Sequence, residues 1–255
     1  MRNSGIGDLE MTDESGLDTG DAGGVSTQTP NDVVSVVAAR RSTRAFTDRR
    51  VDRGLIERAI ERAGRAPSGG NLQPWHLYVL SGEPLRDLRG RMQARLTSNP
   101  TPDPFEYDVY PPKLTEPYKN RRREAGLQLY GAIGIERHDP VARSRQSEKN
   151  FDFFGAPAGL FCYVDRQMGR AQWSDLGMYL QTLMLLLKAD GVDSCAQAAW
   201  SLYNETVAQI VRPPDSLMLF CGVAIGYADL SHPANNFQVP RAPMHEITDF
   251  LWTNH

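Results

Sequence analysis

The chain has 255 residues, a net charge of −3 and 40% apolar residues, which suits one domain with a sizeable buried core. The small negative charge provides no broad basic field that would recruit nucleic acid. No run of about 18 apolar residues occurs, so no membrane helix is predicted. The widely spaced cysteines Cys162, Cys195 and Cys221 lie in apolar or small-residue runs. They are predicted to be reduced core residues of a cytoplasmic protein.

The first 30 residues differ from the rest of the chain. They contain six acidic residues, one arginine and six glycines, and they lack the apolar stretch of a signal peptide. Such a composition cannot bury enough surface to become ordered. The sequence therefore predicts a disordered acidic tail over residues 1–30 and a folded domain over 31–255.

Four elements are predicted in the first part of this domain. A helix with valines at 33–37 follows a polar cap and ends at a double arginine. Asp52 caps a second helix, whose apolar stripe covers 55–63. A strand over 75–80 and a helix with apolar residues at helical spacing over 85–96 follow.

Residues 98–150 have the character of an insertion. Six prolines interrupt their first part, aromatic residues are interleaved with the prolines, and the basic run 121–123 starts a helix. We expect this segment either to cover a ligand as a lid or to pack against a partner subunit. The basic run by itself is typical of a solvated helix face.

Buried strands and helices alternate in the second half. Strands are predicted over 159–164, 192–198 and 217–227, and a helix over 205–211. The strongest helix is predicted to start at a Ser174 cap and to end at Gly191. Because it is apolar on most sides, it should lie at the centre of the fold or in a subunit interface. The pattern indicates an α+β or α/β protein.

Two polar segments carry most of the functional information. Residues 40–46 read Arg-Arg-Ser-Thr-Arg-Ala-Phe, and residues 66–75 read Ala-Pro-Ser-Gly-Gly-Asn-Leu-Gln-Pro-Trp. Arginine forks and short hydroxyls match phosphate oxygens, and adjacent glycines let backbone approach a flat ring closely. Nucleotide-binding GxGxxG and P-loop motifs, an HExxH zinc motif and a GxSxG elbow are absent from the sequence. Without a metal or nucleophile signature, the chain is expected to take its chemistry from a cofactor.

These two segments, together with Val239-Pro240-Arg241-Ala242-Pro243 after the last strand, resemble the flavin-binding signature of the FMN-dependent nitroreductase superfamily. The resemblance covers residues 31–252 and is strongest to mycobacterial-type NAD(P)H nitroreductases. The segments 110–118 and 150–159 are similar to those of nitrobenzoate reductases. The family's fold is α+β, with a mixed central sheet flanked by helices, in an intertwined homodimer with FMN at the interface.

The resemblance also implies roles for individual residues. Arg40, Ser42 and Arg241 would hold the FMN phosphate, and Arg44 would lie at the pyrimidine edge of the flavin. For Arg41, a flavin contact and an ion pair within the same chain are equal alternatives. The other implied flavin contacts are Pro67, Ser68, Gly69, Asn71 and Gln73 of the partner subunit, with Ala196, Gln197 and Ala198 at the far edge. Candidates for the substrate pocket wall, with core packing as the alternative, are Phe105, Tyr107, Tyr110, Tyr118, Phe153, Phe154 and Trp200.

The implied activity is two-electron reduction with bound FMN. NAD(P)H would deliver hydride to the flavin N5, and a nitroaromatic or quinone would then accept it, in a ping-pong mechanism that needs no catalytic side chain and no metal. Two alternatives stay open. The same flavin could reduce another acceptor, by dehalogenation or enoate reduction, or the chain could be a non-enzymatic flavin carrier.

Overall fold

A computed structural model describes residues 32–252. The predicted acidic tail at 1–30 lies outside these residues. Short 3-10 turns join the main elements of the described chain, which are, in order, α1 (Val33–Ala39), α2 (Arg53–Ala63), β1 (His76–Ser81), α3 (Gly82–Ser98), α4 (Tyr118–Ala132), α5 (Pro140–Glu148), β2 (Ala158–Asp165), α6 (Arg170–Ala189), β3 (Asp193–Gln197), α7 (Asn204–Val211) and β4 (Leu217–Gly226).

The four strands form one sheet in the order β1-β2-β4-β3, and each neighbouring pair is antiparallel. The two central strands are continuous apolar runs that are buried on both faces, as expected for strands covered from both sides. The one parallel pairing found between described residues is a single bridge from Ser42 to Ser194 at the β3 edge. The expected α+β class, with a sheet flanked by helices, is confirmed.

Two cores lie on opposite faces of the sheet. The first packs α2 and α6 against β2 and β4, and includes Ile56, Leu176 and Leu183. The second packs α3, α7 and the turns at 149–155 and 198–203 against the other face, and includes Leu88 and Trp200. Cys162, Cys195 and Cys221 are all buried and free, which confirms the prediction of reduced core cysteines.

The central helix α6 begins earlier than predicted. It starts at Arg170, because the backbone N–H of Gly169 donates to the side-chain oxygen of Gln172 at 3.2 Å and so closes the first turn. Ser174 lies inside the helix, where its hydroxyl donates to the Ala171 carbonyl at 2.5 Å. As expected, α6 lies at the centre of the fold, in contact with α1, α2 and β3.

The predicted insertion contains two helices. Residues 99–117 form irregular chain, and α4 and α5 follow. The basic run at 121–123 lies near the start of α4. Within residues 32–252, every helix is too short or too polar to cross a bilayer.

Candidate functional site

Three arginines after α1 and one near the C-terminus line a single cleft. The cleft has a volume of about 390 Å³, and Arg40, Arg41, Arg44 and Arg241 all border it. Ser42 and Gln181 contribute hydroxyl and amide groups, and no acidic side chain lines the cleft. None of the four arginines forms an ion pair with a carboxylate of residues 32–252.

The arginines face the cleft because residues 42–47 run along the sheet as an extended segment. The Thr43 N–H donates to the Ser194 carbonyl at 3.1 Å, and the Thr47 N–H donates to the Tyr227 carbonyl at 2.9 Å. In extended backbone, successive side chains point to opposite sides. Thr43 and Ala45 are therefore buried, whereas Ser42 and Arg44 remain partly exposed at the cleft.

The amide side chain of Asn235 holds this segment in place. It is 2% exposed, and its Oδ1 accepts from the backbone N–H of Arg44 at 2.8 Å. Its Nδ2 donates to the carbonyls of Ala45 and Asp229, both at 2.8 Å. One buried amide thus satisfies three backbone groups and joins the arginine segment to the C-terminal chain.

The four guanidinium groups are engaged differently. Arg41 donates to the backbone carbonyl of Asn235 at 2.8 Å and forms no ion pair with a carboxylate of residues 32–252. Arg44 donates weakly to the Ser42 carbonyl at 3.3 Å, and Arg241 donates to the Val239 carbonyl at 2.7 Å. The side chain of Arg40 has no hydrogen bond to the described part of the chain and is available to a ligand.

The positive charge of the cleft acts on Cys195 in the second core. Burial raises the pKa of the Cys195 thiol, while Arg44, a hydrogen bond from Ser42 and Arg40 oppose that shift. The net direction is upward, so the thiol stays protonated at neutral pH. Cys195 is therefore a packing residue of the second core and no nucleophile.

The glycine-rich loop is exposed and strained. Residues 67–73 are exposed apart from the half-buried Ser68, and Gly70, Asn71 and Gln73 have φ values of 58°, 57° and 48°. Left-handed backbone at two non-glycine residues costs energy and persists only where surrounding contacts fix it. One contact is the Ser68 hydroxyl, which accepts from the Gln73 N–H at 3.0 Å.

Two further contacts fix the loop to α6. The buried carboxylate of Asp175 accepts from the Gly69 N–H at 3.2 Å. At the end of the loop, the Trp75 ring stacks on Tyr179, with centroids 4.5 Å apart. Asp175 is not among the residues predicted from the sequence, since a lone acid in an amphipathic helix has no distinguishing pattern.

Replacing Asp175 by alanine is expected to loosen this loop. Loss of a hydrogen bond to a charged acceptor should lower the free energy of unfolding by about 1.5–3 kcal/mol. Urea unfolding measures the change, and limited proteolysis should show faster cleavage within 67–73. The control is Asp190→Ala, which removes an exposed carboxylate at the end of the same helix. Equal effects of the two substitutions would contradict the anchoring role.

The third implied contact region lies at the end of β3. Ala196 and Ala198 are exposed, whereas Gln197 is buried and turns inward, donating to the Asn150 carbonyl at 2.8 Å. Neither this region nor the loop at 67–73 lines the arginine cleft. However, Asp175 and Gln181 are six residues apart on α6, about 9 Å along its axis, so one helix supports both the loop and the cleft.

The candidate pocket aromatics fall into two groups. Phe153 and Trp200 are both 0% exposed and Phe154 is buried, so these three rings pack in the second core, which is the alternative to a pocket wall. Gly159 and Gly222 explain the burial of the first two, because a Cβ at either glycine would collide with Phe153 or Trp200. By contrast, exposed rings on the insertion are Phe105, Tyr110 and Tyr118. Tyr107 is partly buried, and its hydroxyl donates to the Phe220 carbonyl.

Comparison with known proteins identifies the family to which this fold and this cleft belong. Residues 37–227 match the sequence profile of the nitroreductase family. The chain belongs to this family. A nitroreductase-family relative, the 4-nitrobenzoate reductase of Pseudomonas putida, is 35% identical over 221 residues, covering 87% of this chain and 96% of the relative.

Solved nitroreductase structures agree with the fold. The FMN and NADPH-dependent nitroreductase NfnB of Sphigopyxis sp. strain HMH gives a TM-score of 0.84 at 44% identity, covering 87% of this chain and 100% of that one. The FMN-dependent nitroreductase NfnB of Mycobacterium smegmatis, solved in complex with NADPH, gives 0.81 at 30% identity, covering 86% and 97%. The resemblance to mycobacterial-type nitroreductases is thereby confirmed.

Proposed function

We propose that this chain is an FMN-dependent enzyme that uses NAD(P)H to reduce nitroaromatic compounds. The observation that carries the proposal is the cleft of four arginines without a lining carboxylate, in a chain of the nitroreductase family. Its similar structures are described as FMN and NADPH-dependent or in complex with NADPH. Its relatives include reductases of 4-nitrobenzoate and of nitrobenzene.

The residues present fit FMN. A phosphate monoester carries about two negative charges at neutral pH, and the cleft offers it unpaired guanidinium donors. Arg40 is the strongest candidate because its side chain has no partner within residues 32–252. Ser42 adds a hydroxyl beside it, and Arg241 closes the cleft from the C-terminal side.

When bound, FMN supplies the two-electron transfer from NAD(P)H to the nitro group. The chain's own residues bind and orient it: Arg40, Ser42 and Arg241 at the phosphate, with Arg44 at the ring edge. A guanidinium there stabilises negative charge at that edge. The strained loop at 67–73 offers small residues that allow close approach of the ring, and the β3 end at 196–198 would border the other edge.

A homodimer completes this site. The α1 valines Val33 and Val34 are 76% and 78% exposed, and Leu251 and Trp252 near the C-terminus are 99% and 77% exposed. Such apolar surface at both ends of the described chain is typical of an interface. A second copy would cover it and bring its exposed loop at 67–73 to the arginine cleft, which the loop of the same chain does not line.

The insertion at 98–150 is proposed as a lid over this composite site. Its exposed Tyr110 and Tyr118 are the candidates for contact with an aromatic acceptor. Its helix α4 lies against the turn at 233–235, next to the arginine cleft. A reducing cytoplasmic location fits the three free thiols.

The deciding experiment is spectroscopic. The purified protein is expected to show the visible absorption of oxidised flavin, to lose it when NADPH is added without oxygen, and to regain it when 4-nitrobenzoate follows. Sedimentation of the same preparation should give twice the chain mass. A colourless protein that takes up no FMN would refute the proposal, and a coloured one that NADPH leaves unchanged would indicate a flavin carrier.

A further inference from the structure

A second cluster of cations lies on the insertion, outside the arginine cleft. A cleft of about 870 Å³ between α4, α5 and the preceding chain is lined by six cationic side chains and by no acidic one. The six are Lys113, Lys119, Arg122, Arg123, Arg137 and Arg143. We call it the basic cleft.

The three arginines of the basic run at 121–123, predicted to form a solvated helix face, lie in two different surroundings. Arg121 turns away and pairs with Glu246 at 2.8 Å, whereas Arg122 and Arg123 line the basic cleft. The other four cations come from other positions along the insertion and converge on the same cavity. None of the six forms an ion pair with a carboxylate of the described chain.

Three acidic groups on the surrounding helices accept hydrogen bonds from groups outside the basic cleft. Asp139 caps α5 by accepting from the Ala142 N–H at 2.8 Å, and Glu124 accepts from the Asn120 side chain at 3.0 Å. Glu148 accepts from the Ser144 hydroxyl at 3.1 Å. None of these carboxylates forms an ion pair with a cation of the basic cleft, so a bound polyanion would reduce the mutual repulsion of the six cations.

Tyr130 lines the same cavity, and a second ring, Tyr110, packs against one of its arginines. The Arg122 guanidinium lies 4.0 Å from the Tyr110 ring centroid, and that of Arg143 lies 4.9 Å from the Tyr130 ring centroid. The Nε of Arg143 is buried without a hydrogen-bond partner among the described residues. Flat cation–aromatic surfaces suit a nucleobase, and an unused guanidinium donor suits a phosphate.

We propose that the basic cleft binds the adenosine end of NADPH and reads its 2′-phosphate, so that the enzyme prefers NADPH to NADH. This inference rests on the proposed function. A cavity of this volume can hold a phosphorylated nucleoside. An aromatic carboxylate carries one negative charge and would leave most of the six cations without a partner. A 2′-phosphate next to a diphosphate carries several negative charges and matches the cluster better.

The position of the basic cleft agrees with this role. The opposite face of α4, with Asn120 and Glu124, borders a groove that is shared with Arg241, which also lines the arginine cleft. The two clefts are thus separated by the width of one helix, about 10 Å. A dinucleotide whose nicotinamide reaches the flavin could place its adenosine end across α4.

The test uses the purified FMN-loaded enzyme and the double variant Arg122→Ala/Arg137→Ala. Both side chains are exposed, so folding should be preserved. The matched control is Arg53→Ala/Arg91→Ala, which removes two exposed arginines from α2 and α3 that pair with Glu57 and Asp87. The readouts are the KM for NADPH, the KM for NADH, and calorimetric binding of 2′,5′-ADP and of 5′-ADP.

In the parent enzyme, 2′,5′-ADP should bind more tightly than 5′-ADP. In the double variant, the Kd for 2′,5′-ADP should rise by about tenfold or more, because charge-assisted phosphate contacts are lost. The ratio of the NADPH KM to the NADH KM should rise by a similar factor. The control should leave both quantities unchanged.

Equal binding of the two fragments by the parent, or equal KM changes for NADPH and NADH, would overturn the proposal. A rise in the KM for 4-nitrobenzoate alone would also overturn it, by assigning the basic cleft to the acceptor's carboxylate. Fragment binding needs no turnover. A protein that takes up no FMN but still binds 2′,5′-ADP more tightly than 5′-ADP would therefore refute the proposed function without refuting the 2′-phosphate site.

Discussion

Arg40→Ala is expected to weaken FMN binding by about 10- to 100-fold with little change in stability. Its guanidinium borders the cleft and has no hydrogen bond to residues 32–252, so the substitution removes a ligand contact and no structural one. A charge-assisted hydrogen bond to phosphate contributes about 1.5–3 kcal/mol, which gives the expected range. Fluorescence titration of the apoprotein with FMN measures the Kd.

The adjacent Arg41 provides a matched control within the same cleft. Its guanidinium already donates to the Asn235 carbonyl at 2.8 Å. Arg41→Ala should therefore lower the free energy of unfolding by about 1 kcal/mol and change the FMN Kd much less than Arg40→Ala does. If the two substitutions weakened FMN binding equally and neither changed the urea midpoint, the distinction between a ligand arginine and a structural arginine would be wrong.

The elements of the fold could largely be predicted because their patterns are local. Continuous apolar runs predicted β2 and β4, and the Asp52 cap was placed correctly, with its carboxylate accepting from the Leu55 N–H at 3.0 Å. The start of α6 was misplaced because a serine is a common cap, whereas the actual first turn is closed by a glutamine side chain. Which strands are neighbours depends on long-range packing that a single sequence does not reveal.

The kinds of residue that form the candidate site could be predicted from the sequence, but their arrangement in space much less so. Arginines beside hydroxyls indicate a phosphate whatever the fold, and the structure brings Arg40, Arg44 and Arg241 to one cleft. The aromatic residues were harder to place, because a ring in a sequence is equally typical of core and pocket. A usable signal existed for Trp200: Gly222 interrupts an apolar strand, and a glycine there often marks close approach by another group.

Asn235 carries the largest expected effect on stability and had no detectable sequence signal, since asparagine is common in polar loops. Asn235→Ala would leave the Arg44 N–H without its partner in a buried site and would remove one of the two hydrogen bonds at each of the carbonyls of Ala45 and Asp229. An unpaired buried N–H costs about 1–3 kcal/mol and each lost hydrogen bond about 0.5–1.5 kcal/mol, so the free energy of unfolding should fall by about 2–6 kcal/mol. Urea unfolding monitored by circular dichroism checks this.

Two further variants keep the role of Asn235 testable even if the alanine variant fails to fold. Asn236→Ala alters the exposed neighbour and should change stability by less than about 0.5 kcal/mol. Asn235→Asp keeps the acceptor for the Arg44 N–H and removes the donor to the two carbonyls, so it should lie between the parent and the alanine variant. Because the same amide positions the arginine segment, FMN affinity should fall in the same order. An Asn235→Asp protein as stable as the parent would show that its donor bonds to Ala45 and Asp229 contribute little, and that the arginine segment is held mainly by its contacts with the sheet edge.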